Sequence, residues 1–312
     1  MMRIKRWKPK FAFLGAITAA LAVLLQGCTG LDVVNAVTPK GGVTRIDGLA
    51  YGSHPRQKLD LYKPDNVSGP LPSILFLYGG SWKGGHREDY AFAGRALARA
   101  GFLVAVADYR VYPEVAFPAF VDDAAMAVAW LSRNADAYDG ITRDIHMIGH
   151  SAGAHIVAMV ALDKAFLNAE GLTQDILGRW VGLAGPYAFH PSEIDYVSAV
   201  FAHLDDEDKA RPITFVDAAS PSALLLHGEA DDTVIPKHSE VLAKAMNDAG
   251  VPAEARFYNG IGHAKLVLSL SRPFTGFAPS LEDTARFLKS GQFPEGGAKS
   301  GPDRKTASNP QS

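Results

Sequence analysis

Gly149-His150-Ser151-Ala152-Gly153 sets one serine among small residues, a pattern that suits nucleophilic chemistry. A serine hydroxyl is a weak nucleophile at neutral pH. It needs a base to take its proton, an acid to orient that base, and N–H donors for the developing oxyanion. Three other stretches offer such parts. Gly79-Gly80 closes an apolar run, where backbone N–H groups face a ligand unobstructed. Asp231-Asp232 follows another apolar run, and His263 comes late, beside Gly260 and Gly262. The bland alternative for Ser151 is an ordinary helix N-cap.

The elements around these residues decide between the two readings. Ile145-His146-Met147-Ile148 reads as a short buried strand, and Ala154 to Lys164 carries apolar residues at helical spacing. Strand, glycine-flanked serine and helix in that order make a nucleophile elbow. The rhythm continues along the chain. Strands are expected at Thr44 to Tyr51, Lys58 to Tyr62, Ser73 to Tyr78, Phe102 to Ala107, Trp180 to Leu183, Ala223 to His227 and Ala253 to Tyr258. Helices are expected at Glu88 to Ala100, Phe120 to Arg133, Lys237 to Ala249 and Ser280 to about Lys289, the last opened by a Ser280-Leu281-Glu282-Asp283 capping box. Continuous apolar strands alternating with helices predict an α/β domain, a mainly parallel central sheet with helices on both faces. Ligands of such sheets bind beyond the carboxyl ends of the strands, where all four stretches fall.

Gly79-Gly80-Ser81-Trp82 resembles the His-Gly-Gly-x-Trp oxyanion loop of small carboxylesterases and arylformamidases of the α/β-hydrolase superfamily, with Tyr78 in place of the histidine. Asp108-Tyr109-Arg110-Val111-Tyr112-Pro113-Glu114 resembles a structural loop of the same group. The resemblance extends from about Thr44 to Lys289. It implies the α/β-hydrolase fold and a triad in the chain order Ser151, Asp231, His263. Asp231 takes the acid's place in a His-Gly-x-x-Asp-x-x-Val pattern that ends at Val234, so its neighbour Asp232 is set aside. The resemblance further implies Gly79, Gly80 and Ala152 as oxyanion donors and Tyr78 and Trp82 beside the substrate pocket. Ala188 to Ser220 lacks sustained periodicity and is expected to form a small cap. The implied activity is hydrolysis of a small-molecule carboxylic ester through an acyl-enzyme, without cofactor or metal. An arylformamidase-like amide hydrolase and a non-catalytic binding module on the same fold are the alternatives.

The remaining histidines read as structural: His150 and His155 as packing near the elbow, His227 as a strand-end residue. Asp205-Asp206-Glu207-Asp208-Lys209 reads as a solvated face, since it lacks the glycine and terminal glutamate of a calcium loop.

The first 27 residues read as a signal peptide. Arg3, Lys5, Arg6, Lys8 and Lys10 precede an apolar stretch from Phe11 to Leu25, short for a membrane span of about 20 residues. Leu25-Gln26-Gly27-Cys28 resembles the lipobox of bacterial lipoproteins, which implies lipid on Cys28, the chain's single cysteine. Residues 28–42 are then expected to be a tether, 43–290 the hydrolase domain and 291–312 a disordered tail. The expected location is extracytoplasmic, anchored to a membrane by lipid. With 31 Lys and Arg against 33 Asp and Glu, and no basic stripe interleaved with aromatics, nucleic acid is not an expected partner. Oligomeric state is not legible.

Overall fold

The computed structural model describes residues 30–67 and 69–295. The signal peptide and Cys28 lie outside them. One eight-stranded sheet carries the domain: β1 (Val43–Ala50), β2 (Lys58–Pro64), β3 (Ser73–Leu77), β4 (Leu103–Ala107), β5 (Ile145–His150), β6 (Leu177–Leu183), β7 (Ala223–Gly228) and β8 (Ala253–Tyr258), in the spatial order β1-β2-β4-β3-β5-β6-β7-β8. The first two strands pair antiparallel, and β2 pairs antiparallel with β4; every later pairing is parallel. This is the architecture expected. The central strands β3, β4, β5 and β7 are buried at every residue, which explains why they read as unbroken apolar runs.

Helices cover both faces. Following α1 (Gly30–Val37), α2 (Ala91–Arg99) packs on β2 and β4. Next come α3 (Ala119–Asn134), α4 (Ala152–Leu162) and α5 (Lys164–Ala169), which contact one another. Between β6 and β7 lies the short α6 (Asp195–Phe201), flanked by single 3₁₀ turns. Then follow α7 (Lys237–Asp248), α8 (His263–Leu268) and α9 (Ser280–Ser290), the last in contact with α2. All eleven residues of α4 are buried, as an apolar-all-round helix at the centre of a domain must be.

Three expectations need correction. The described part of the expected tether is docked on the domain: Gly30–Val37 form α1, whose Val34 is buried. Asn35 fixes it there, donating to the carbonyls of Glu88 (3.1 Å) and Asp89 (2.8 Å) and accepting the Phe92 N–H (2.8 Å). The tail does not begin at 291, because Phe293 stacks on Phe287 and Arg256 donates to the carbonyls of Pro294 and Glu295. Residues 296–312 lie outside the described ones. No capping box opens α9: Pro279 is its cap, Ser280 hydrogen-bonds Ser269, and Asp283 is taken by Tyr258 and Arg256.

Candidate active site

Ser151 stands at the turn from β5 to α4 with φ 55° and ψ −121°, a left-handed backbone that costs a non-glycine residue of order 1–3 kcal/mol. The neighbours hold it there. Its N–H donates to the Leu183 carbonyl at the end of β6, and its own carbonyl accepts the N–H groups of Ala154 and His155. The flanking glycines make room for the turn. A Cβ on Gly149 would lie 2.3 Å from the Gly153 carbonyl oxygen, and one on Gly153 2.3 Å from that of Leu77. The expected elbow is therefore present, and Ser151 is more than an N-cap.

His263 and Asp231 come together as the resemblance implied. The His263 Nδ1–H donates to Asp231 Oδ2 at 2.8 Å, which leaves Nε2 as the ring's free acceptor. Asp231 is buried at the end of β7; Asp232 is exposed. The Thr233 and Val234 N–H groups donate to Asp231 Oδ1 at 3.0 and 2.9 Å. Burial alone would raise the Asp231 carboxyl. Hydrogen bonds from His227, His263 and the Val234 N–H outweigh it and hold the group well below the usual carboxylate range.

His227 has a closer tie to this site than its sequence suggested. Its Nε2–H donates to the Val234 carbonyl at 2.8 Å and lies 3.3 Å from Asp231 Oδ2, while Nδ1 meets the Ser239 hydroxyl at 2.7 Å. It holds the acid from behind. His150 packs its ring 4.8 Å from that of His263 and reaches the His263 carbonyl at 3.4 Å. Burial, with His263 alongside, pushes it down to about 3, so it stays neutral. His263 opens α8, behind the Gly262 N-cap. The Ile261 carbonyl before it accepts the Ala230 N–H, which ties the histidine loop to the acid loop.

The loop after β3 approaches the elbow from the other side. A Cβ on Gly79 would lie 2.8 Å from Ser151 Cβ, so the residue must be glycine. Its N–H faces the Tyr90 hydroxyl; burial pushes that phenol up to about 12 against the pull of this N–H. Gly79 thus supplies clearance for Ser151. Gly80, at φ 151°, turns the chain, and its carbonyl accepts the Lys83 and Gly84 N–H groups. The first N–H groups of such a turn, like that of Ala152 at the start of α4, have no acceptor within their own element.

Tyr78 does not line the pocket. It is fully buried, stacked between Tyr90 (5.4 Å) and Tyr109 (4.9 Å). Its hydroxyl donates to Asp108 at 2.7 Å and accepts from Arg56 at 2.9 Å. Asp108 also pairs with Arg87, which pairs with Asp60, which pairs with Arg45. The phenol braces the oxyanion loop from beneath. Among the described residues, the ligand atoms of His86, Glu88 and Asp108 lie within 4.8 Å of one another. Asp108 is already matched there by Arg87 and Tyr78, so this group reads as an ion-pair node.

Trp82 does line the pocket. A cavity of about 220 Å³ opens above Ser151 and Ala152, walled by Trp82, Pro186, Phe189, Ile194, Val197 and Val234, with Tyr196, Ile235 and His238 at its edge. Trp82 stacks on Phe189 (5.6 Å) and meets His155 and Phe201 edge-on at 5.1 and 5.0 Å. His155 is buried in that cluster and donates to the Ala210 carbonyl. The segment 188–220 thus caps the pocket as expected, through Phe189 and α6. Its acidic run is spent on Lys209, Arg211 and the Ser192 N–H.

Comparison with known proteins places this geometry. The prolyl oligopeptidase family model matches residues 119–289, and the BD-FAE model matches 59–177. A probable isoprenylcysteine alpha-carbonyl methylesterase of Oryza sativa subsp. japonica is 32% identical over 243 residues, covering 70% of this chain and 57% of that protein. A kynurenine formamidase of Danio rerio is 24% identical over 274 residues, covering 85% and 87%. The crystal structure of esterase B from Lactobacillus rhamnosis superposes with a TM-score of 0.69 at 19% identity, covering 89% and 95%, which shows a shared α/β-hydrolase fold. The chain spans less than two thirds of the length of the methylesterases it matches.

Proposed function

The chain belongs to the prolyl oligopeptidase family, and from that premise we propose that it is a serine hydrolase of short-chain carboxylic esters. The observation that carries the proposal is a strained Ser151 at the floor of a small apolar cavity, with His263 paired to a buried, charged Asp231 and its ring packed on His150, the residue before the serine. In the acylation step, Ser151 Oγ attacks the ester carbonyl carbon while His263 Nε2 takes its proton. Asp231 stabilises the imidazolium through Nδ1. The N–H groups of Gly80 and Ala152 receive the oxyanion, where losing one donor costs about 10²–10³ in rate. Collapse of the tetrahedral intermediate expels the alkoxide, which takes the proton from His263. Water, deprotonated by His263, then cleaves the acyl-enzyme by the same path.

A cavity of about 220 Å³ accommodates a short acyl chain, with Trp82 and Phe189 closing its side. The test is a p-nitrophenyl ester series on the purified protein beside a fluorophosphonate label. We expect labelling at Ser151 and the highest kcat/KM at butyrate or shorter. An unlabelled serine points to a binding module; a rise toward palmitate defeats the short-chain reading. The kynurenine formamidase match over most of both chains favours a second reading, cleavage of an N-formyl amide. N-formylkynurenine in the same assay separates the two.

For location, we propose a lipid on Cys28 and an extracytoplasmic catalytic domain. Leu25-Gln26-Gly27-Cys28 supports it, as does the absence of any other cysteine that could mispair in an oxidising compartment. Thr29 and Gly30 place no acid after Cys28, which favours the outer membrane if the source is Gram-negative. Mass spectrometry of the mature N-terminus tests it: an unmodified terminus elsewhere defeats the anchor and leaves the hydrolase reading intact.

A further inference from the structure

We propose that the outer face of α1, with the loop after α8 and the arginines of α2, is a surface that rests on an anionic lipid bilayer. The inference builds on the lipid reading of Cys28. A helix docked by one face ordinarily turns polar residues outward. In α1, Leu31, Val34 and Asn35 face the domain, while Val33, Ala36 and Val37 face away at i, i+3 and i+4. Val33 and Val37 are 45% and 51% exposed. The helix is therefore apolar on both sides, with only Asp32 polar among its outward residues after Gly30.

The helix has no freedom to hide that face. Asn35 pins it to the start of α2, and Thr38 bonds Val34 and the Ser271 hydroxyl at 2.8 and 2.7 Å. Ser271 leads directly into an exposed loop where Phe277, 43% exposed, stacks on Phe274 at 5.6 Å. Cations flank the C-terminal end of this apolar ridge, while Asp32 and Glu88 are exposed acids beside the helix. Arg99 donates to the carbonyls of Pro39 and Gly41, just past α1, and to that of Arg95 one turn earlier. Arg99 keeps its charge although burial, then the nearby Arg272 and Arg95, lower its guanidinium from the ordinary value, and Lys40 is exposed beside them.

Apolar side chains flanked by arginine and lysine match the boundary between anionic headgroups and acyl chains. The covalent chain makes that occupant the one within reach. Only Thr29 separates Cys28 from Gly30, and two residues span at most about 7 Å. A lipid on Cys28 holds this ridge, and no other part of the domain, against the bilayer.

The test uses the full-length protein extracted from its membrane and reconstituted in phosphatidylcholine vesicles with and without phosphatidylglycerol. Val33→Cys, Val37→Cys and Phe277→Cys each receive a nitroxide label, with Lys244→Cys, exposed on α7 beside β8 at the other end of the sheet, as the aqueous reference. Esterase turnover of a soluble substrate confirms that each variant is folded. Power saturation is expected to place the first three labels about 5–10 Å below the phosphates, and the fourth in water. Arg272→Glu should make the three labels shallower on phosphatidylglycerol vesicles and leave them unchanged on pure phosphatidylcholine. Equal access of all four labels to an aqueous relaxant overturns the proposal. So does spin–spin broadening at positions 33 and 37 that persists in detergent, which would show a second copy on this face. Failure of the anchor reads differently. The N-terminal peptide then carries no lipid by mass, and the same labels are measured after adding protein to preformed vesicles; aqueous labels there also overturn the surface.

Discussion

The pocket has two walls built on opposite plans. On the sheet side, Ser151, Gly79 and Asp231 sit at strand ends, each held by contacts from at least two other elements. On the cap side, residues 188–216 form single 3₁₀ turns and one seven-residue helix, and Tyr196 and Ile235 stand more than half exposed at the mouth. Few contacts join the walls: Trp82 stacks on Phe189, His155 donates to the Ala210 carbonyl, and Lys83, beyond the oxyanion loop, donates to the Tyr196 carbonyl. The difference teaches a division of labour. Chemistry is held where backbone cannot relax, and substrate choice is left to the wall with the fewest constraints.

The most damaging test of that division strikes the sheet side. Ser151→Ala and His263→Ala should each lower kcat by several orders of magnitude on p-nitrophenyl acetate, with circular dichroism unchanged. Asp231→Asn should cost about 10⁴, since an amide cannot hold the imidazole in its tautomer. Asp232→Asn, one residue away but exposed, should stay within about twofold. Reversal of the two aspartates would overturn the assignment of the acid.

Next in size is the brace below the oxyanion loop. Tyr78→Phe keeps the ring between Tyr90 and Tyr109 and removes one hydroxyl, which leaves Asp108 and Arg56 short of a partner in a buried setting. Such a loss costs about 1–3 kcal/mol. Urea unfolding should show it, with a smaller fall in kcat as the loop loosens. If stability is unchanged while kcat falls, Tyr78 acts on the reaction directly and the brace reading is wrong.

These residues differ in how well the sequence announces them. The elbow is legible because its requirements are local: a strand, two glycines and a helix in succession. The sheet is legible because buried parallel strands leave unbroken apolar runs. The place of Tyr78 is not legible, because proximity along the chain to a pocket-forming loop says nothing about which side of that loop a ring occupies. Its partners Arg56 and Asp108 are 22 and 30 residues away. The same holds for α1. Eight residues are too few to declare a helix on their own, and Asn35 finds its acceptors more than 50 positions later. His263 was found by chain order, whereas the support of His227 behind the acid needed distances.

Acid should disturb both walls through histidines kept neutral by burial. His146, His150 and His155 are held down to about 4, 3 and 4, against an ordinary value of 6.5. The unfolded chain therefore binds more protons than the folded one below pH 6.5. The stability these groups contribute is whole above that pH and is lost progressively as pH falls toward 4. Asp231 adds nothing in this window, because its loss sets in only below the ordinary carboxylate range. The melting temperature should be flat from pH 7 to 9 and fall between 6.5 and 4. His155→Gln should make that fall shallower. A flat profile down to pH 4 would show that these rings charge without penalty.

The smallest expected effect lies on the cap wall. Tyr196 and Ile235 are 55% and 56% exposed, so neither packs deeply enough to support the fold. The contact from Lys83 reaches the Tyr196 backbone carbonyl, and truncating the side chain leaves it in place. Tyr196→Ala and Ile235→Ala should therefore leave kcat on acetate esters within about twofold. Their influence begins where an acyl chain reaches the mouth of the cavity. Each methylene there is worth up to about 0.8 kcal/mol, or roughly fourfold, and half-exposed partners supply only part of it. Widening the mouth should move the chain-length optimum upward by a carbon or two, with the change in KM and kcat nearly constant. A uniform fall in kcat at every chain length would contradict this. It would mean that the cap helps to hold Trp82 and the oxyanion loop through the Phe189 stack, and that the two walls are one mechanical unit.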